Sequence, residues 1–150
     1  MAQFDCEECG ELDKYGGCKI IRLGKQALKI TKPVIIQCFS DEFDLPNCEC
    51  PTPARMGNVL TKANESDLLS PKYHTKYRSG VGKMMHVMQY SAPQIYNAVR
   101  DHQRHMSQLA PKHMKEMLHC MTHCINRPNR VLVLAHTRFW DDNSDSRFRK

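Results

Sequence analysis

Three runs of apolar residues at helical spacing, two of them opened by a proline, set the narrowest limit on what this chain can fold into. Tyr77, Val81, Met84, Met85 and Met88 form one stripe. Ile95, Ala98, Val99, Met106 and Leu109 form a second, and Met114, Met117, Leu118, Met121 and Ile125 a third. Spacings of three and four residues place each set on one face of an α-helix. Pro93 and Pro111 stand where the second and third helices would begin, positions at which proline costs no intrahelical hydrogen bond. Short connections then favour antiparallel neighbours, and the segment 71–127 reads as a three-helix bundle.

The residues before and after the bundle have a different period. "YGGCKIIR" and "QALKIT" are short β-compatible runs around Leu23-Gly24-Lys25, which predicts a hairpin with Gly24 at its turn. "KPVIIQCFSDEF" follows, with Pro33 at a helix start and Val34, Ile35, Cys38 and Phe39 on one face. From Pro46 to Ser70 neither period holds, so 46–70 reads as a linker. After Pro128, "RVLVLA" is a candidate strand. The expected class is α+β: hairpin and short helix over 1–45, linker, bundle, then a strand and polar tail over 128–150.

Charge also divides along the chain. Residues 1–70 carry 8 Lys/Arg against 11 Asp/Glu, residues 71–130 carry 10 against 2, and residues 131–150 carry 4 against 3. Seven of the eight histidines also lie in the middle segment, which is therefore the part suited to a polyanion. The acidic opening "MAQFDCEECGE" lacks the features of a signal peptide, and no apolar run approaches the ~18 residues of a membrane span. No membrane partner is expected. Eight cysteines in a 17.4 kDa chain with this opening suggest reduced thiols in cytoplasm or nucleus.

Two motifs invite a metal. In "TRFWDDN", Phe139, Trp140, Asp141 and Asp142 match the aromatic–spacer–Asp–Asp pattern with which template-copying polymerases hold magnesium. Such a turn needs an apolar strand on each side, and "NSDSRFRK" follows instead, so it reads as a solvated acidic turn. The remaining carboxylates are scattered: Asp5, Glu7 and Glu8 near the start, Asp41, Glu42 and Asp44 at the end of the short helix. No catalytic set is expected. Soft ligands are more numerous: Cys6 and Cys9 in CxxC spacing, Cys18, Cys48, Cys50, His119, Cys120, His123 and Cys124. A zinc knuckle would need histidine at position 14, which is lysine, and a zinc-protease helix would need glutamate at position 120, which is cysteine. Buried single thiols and surface histidines are the simpler reading, and no metal is assigned.

The helical segment resembles a known family. "YRSGVGKMMHVM", "APQIYNAV" and "HMSQLAPKHMKEMLHCM" are similar to the region downstream of the polymerase site in reverse transcriptases of copia-type retrotransposons. Tyr77, Arg78, Ser79, Val81 and Gly82 match that family's Tyr-Arg-Ser-x-Val-Gly block. Pro93, Ile95, Ala98 and Val99 match the next block, and His113 the histidine opening the following helix. "GELDKYGGCKI" resembles the family's Gly-Glu-x-x-x-Phe-Leu-Gly strand, and Pro51-Thr52-Pro53 overlaps its Thr-Pro before the thumb. Ala92 and Gln94 depart from the family's arginine and aspartate. The resemblance covers roughly residues 5–140.

The resemblance implies a polyprotein fragment made of the end of the palm with its primer grip, the thumb, and the connection toward ribonuclease H. Its Tyr-x-Asp-Asp turn is expected before Met1 and ribonuclease H after Lys150. Magnesium is expected only in that missing site, so the fragment itself has no cofactor. Its expected partners are a primer-template duplex and the absent palm and ribonuclease H lobes, in virus-like particles if the element is active. The cations available to clamp phosphates are Lys76, Arg78, Lys83, Arg100, Arg104, Lys112 and Lys115. Gly80 and Gly82 are candidates for close approach to a phosphate. The alternatives are a zinc-binding or interaction module, with seven methionines of the bundle as an adaptable surface, or an inactive transposon remnant.

Overall fold

The computed structural model describes residues 12–24, 27–64 and 67–135. The CxxC pair Cys6 and Cys9, the acidic residues Asp5, Glu7 and Glu8, and the "FWDDN" stretch with Asp141 and Asp142 lie outside the described residues.

The fold is α+β. Two glycines with positive φ, Gly16 at 56° and Gly17 at 73°, make a two-residue turn between β1 (Lys14–Tyr15) and β2 (Cys18–Arg22). Both central residues left-handed is the geometry whose twist matches paired strands, and glycine adopts it without a Cβ penalty. The expected single run "YGGCKIIR" is thus itself a hairpin, with Tyr15 opposite Cys18. The predicted second hairpin forms as well: β2 pairs with β3 (Ala27–Thr31), Ile20 opposite Ile30, and Gly24 has φ 73°. The terminal strand β4 (Leu132–Ala135) returns to the free edge of β3, Leu28 opposite Leu134. All pairings are antiparallel, in the order β1-β2-β3-β4.

Helix α1 (Pro33–Glu42) starts at its proline as expected, but its inward face differs. Val34 is 69% exposed, while Phe39 and Phe43, one turn apart, are buried. Ile35 and Ile36 pack beside them. Helix α2 (Pro71–Tyr90) buries Tyr77, Val81 and Met84 of the predicted stripe, together with Gly80 and Val87. The second helix is shorter than its stripe. Pro93–Ile95 forms a 3₁₀ turn, α3 runs only over Tyr96–Arg104, and Leu109 reaches the core from the following loop. Helix α4 (Pro111–Asn126) buries Met117, Cys120 and Met121 against α1 and α2.

The methionines are interior rather than an adaptable surface. Met84, Met117 and Met121 are fully buried, and Met85, Met88, Met106 and Met114 pack against the core. Helices α2 and α4 approach closely because Gly80 has no side chain: a Cβ there would lie 2.7 Å from Met117 Sδ and 2.8 Å from Met121 Cε. Gly80 is a packing glycine, turned toward Met117 and Met121. Among the described residues no helix is long and apolar enough to cross a membrane.

Candidate nucleic-acid interface

Five of the seven predicted clamp cations have partners within the fold. Lys83 pairs with Glu42 of α1, and Lys76 Nζ lies 3.7 Å from Asp44 Oδ2. Both ammonium groups also stand over the Phe43 ring, at 5.7 and 5.5 Å from its centroid. These two lysines thus clip α2 to the end of α1. Arg104 pairs with Asp101 at 3.4 Å, Arg78 donates to the Met106 carbonyl at 3.4 Å, and Lys112 to the Val59 carbonyl at 2.8 Å. Arg100 and Lys115 are exposed and have no ion pair or hydrogen bond among the described residues. Helix α3 does hold Arg100 and Arg104 one turn apart, and α4 holds Lys112 and Lys115 three residues apart. Gly82 faces open space.

Both acids of the basic segment have partners within the fold. Glu116, one of two acids between 71 and 130, is buried and accepts from Asn58 Nδ2 at 2.7 Å and Arg55 Nη1 at 3.3 Å. Its charge is spent inward on the 46–70 segment. Asp101 is the other, and it is matched by Arg104.

The histidines correct the sequence reading. His119 and His123, expected at the surface, are buried, and so are His102 and His113. His102 Nδ1 meets Tyr77 Oη at 2.9 Å in the centre of the bundle. Burial, with His113 and His105 nearby, pulls the His102 pKa down to about 4, so the imidazole is neutral. His113 accepts from the Ala110 amide at 3.0 Å, which closes the α4 N-terminus, and donates Nε2–H to the Thr61 carbonyl at 2.9 Å.

Farther along α4, residues 48–52 lie across successive turns. Asn126 donates to the Cys48 carbonyl at 3.0 Å, His123 to the Cys50 carbonyl at 2.8 Å, and His119 to the Thr52 carbonyl at 3.0 Å. Alternate carbonyls of one segment are thus met by side chains at i, i+4 and i+7 of a helix. Arg127 adds an ion pair with Glu49 at 3.2 Å. This strap is why α4 is buried on nearly every side. It also brings Cys50 Sγ to 3.2 Å from His119 Nδ1 and 3.6 Å from Cys48 Sγ. Cys18 stays apart in β2 and Cys38 in α1. Among the described residues, no three His, Cys, Asp or Glu side chains come together to hold a metal ion.

Sequence reasoning missed Lys32, which is buried with Nζ 3.0 Å from the Gly16 carbonyl and 4.4 Å above the Tyr90 ring. It joins the β1–β2 turn to the end of α2, and no local pattern marks it, because its partners lie 16 and 58 residues away. Comparison with protein-family models, with curated proteins and with solved structures yields no match.

Proposed function

We propose that this chain is a fragment of a copia-type reverse transcriptase whose helical part clamps and positions a primer-template duplex, without catalytic aspartates of its own. The carrying observation is the distribution of charge on α2, α3 and α4. Eight Lys/Arg lie on these three helices, and of their two acids one is buried against Arg55 and the other is paired with Arg104. The family-like blocks support the same reading, since Tyr77, Val81, Ile95, Ala98 and Val99 form one buried core and Arg78 and Arg100 stand outside it. Lys76 and Lys83, held by α1, contribute less to this surface than the sequence suggests. Arg78, Arg100, Arg104, Lys112 and Lys115 are the residues assigned to phosphates.

The function is positioning by electrostatics. Phosphate contacts fix the register of a duplex without reading its bases, and they release counterions. Anisotropy titrations of a labelled primer-template duplex at several salt concentrations test this. Affinity is expected to fall with salt at a log-log slope of roughly −0.9 per phosphate contact, little changed by duplex sequence. Binding that ignores salt, or no binding by the folded chain, would refute the clamp.

A second reading, an interaction module, draws on a separate observation. Leu12, Tyr15, Ile21, Leu23, Val133 and Leu134 of the sheet region are exposed, and no strand residue belongs to the helical core. Concentration-dependent self-association, abolished by Ile21→Lys while duplex binding persists, would favour it over the clamp.

A further inference from the structure

We propose that Cys48 and Cys50 form an oxidative modification site, closing to an intramolecular disulfide on reaction with a low-molecular-weight disulfide of the glutathione class. Three features place the chemistry here. The two sulfurs are already 3.6 Å apart, side by side on the strap. Cys48 is exposed, so a reagent reaches it, while Cys50 behind it is fully buried and so shielded from direct attack. His119 supplies the base. Its Nε2 is 3.0 Å from the Thr52 carbonyl, an acceptor only, so Nε2 carries the proton of the neutral ring and Nδ1 presents its lone pair to Cys50 Sγ at 3.2 Å.

The reaction balances as two exchanges. The Cys48 thiolate attacks one sulfur of the reagent, its sulfur–sulfur bond breaks, and one thiol leaves after taking up the Cys48 proton. Cys50 Sγ then gives its proton to His119 Nδ1 and attacks Cys48 Sγ, expelling the second thiolate, which recovers that proton. Two protein thiols are oxidised by two electrons and the reagent is reduced to two thiols. Burial and the neighbouring Cys48 hold the Cys50 thiol up at about 11, so proton removal limits the second exchange and the imidazole at 3.2 Å matters. Cys120 and Cys124 are poor rivals, both buried inside α4 beyond reach of the reagent.

Closure has a structural consequence. A disulfide requires the sulfurs at ~2.05 Å, so the strap contracts between residues 48 and 50, whose carbonyls are held by Asn126 and His123. His119 Nδ1 also loses the Cys50 thiol proton directed at it. Oxidation is therefore expected to loosen the strap from α4.

The test treats the reduced full chain with oxidised glutathione, quenches in acid, alkylates the remaining thiols and maps peptides by mass. The wild-type peptide holding both cysteines is expected to be two hydrogens lighter and closed to alkylation. Cys50→Ser should stop at a glutathione adduct on Cys48. His119→Gln should let that adduct accumulate, slowing ring closure by on the order of tenfold or more, with a steeper dependence on pH. If His119→Gln does not fold, Cys50→Ser and the exposed-site change Cys48→Ser still decide, the latter leaving Cys50 unmodified. A Cys6→Ser, Cys9→Ser chain should behave as wild type. A wild-type chain that keeps glutathione on Cys48 with Cys50 free, or leaves both thiols reduced, would overturn the proposal.

Discussion

Tyr77 and His102 meet edge to face in the centre of the helical core, the hydroxyl 2.9 Å from Nδ1 and the ring planes at 77°. The contact holds α2 against α3 and keeps a neutral imidazole where a cation would be costly. The folded pKa of about 4 lies below the ordinary 6.5, so between these values the unfolded chain binds a proton that the folded chain refuses. Stability is therefore complete above about pH 6.5 and falls as pH drops toward 4, by on the order of 3 kcal/mol from His102 alone. His113 and His123, also lowered by burial, act in the same direction. Urea unfolding at pH 7.5, 6 and 5 measures it, and equal midpoints across that range would contradict the assignment. Tyr77→Phe should cost about 1–3 kcal/mol at neutral pH by leaving Nδ1 without its partner.

The two glycines of "SGVGK" should respond oppositely to a methyl group. Gly82 faces open space, so Gly82→Ala is expected to stabilise α2 by about 0.5–1 kcal/mol through helix propensity. Gly80→Ala should lose that gain, because Met117 and Met121 must move, and Gly80→Val should destabilise by about 1–3 kcal/mol through overpacking. Thermal melts of the three variants check the order. A stabilised Gly80→Val would show that α2 and α4 do not cross so closely.

Arg100 and Lys115 are the cleanest probes of the proposed duplex binding, since changing them breaks no ion pair or hydrogen bond among the described residues. Arg100→Ala or Lys115→Ala should leave the melting temperature unchanged and make the salt slope shallower by about one unit. Met117→Leu, a volume-conserving core change, should leave the slope intact. Identical slopes in all three would return these residues to the role of a solvated face.

His123 anchors the strap from a fully buried position through Nδ1 on the Cys50 carbonyl. His123→Ala should cost about 2–4 kcal/mol, combining a cavity with an unsatisfied carbonyl. It should also expose the Cys50 thiol to alkylation, and continued protection of Cys50 would place the strap's hold elsewhere.

Two absences can be measured on the whole chain. A chelator should leave helical circular dichroism and the melting temperature unchanged, whereas a structural zinc would contribute much of the folding free energy. With magnesium and nucleotides the chain should not extend a primer. Extension abolished by Asp141→Asn would restore "FWDDN" as an active site.

The sequence alone determined what depends on short-range periodicity. The stripes through Tyr77, Val81 and Met84 and through Met117 and Met121, the prolines at 33 and 111, and the turn at Gly24 each specify an element within one or two turns of chain. The α+β class followed from their order. Tertiary structure alone decided which polar residues are interior, because a buried imidazole or carboxylate needs a partner that propensity does not encode. Cys50 meets His119 across 69 residues and Arg55 meets Glu116 across 61. Nothing in "NCECPTPARMG" announces that its alternate carbonyls match the turns of α4, so a stretch read as linker proved to cover that helix. The seven cations predicted to clamp phosphates were equally legible as charges and illegible as partners: whether a lysine is free or clips one helix to another depends on where a distant aspartate, glutamate or carbonyl lies in space.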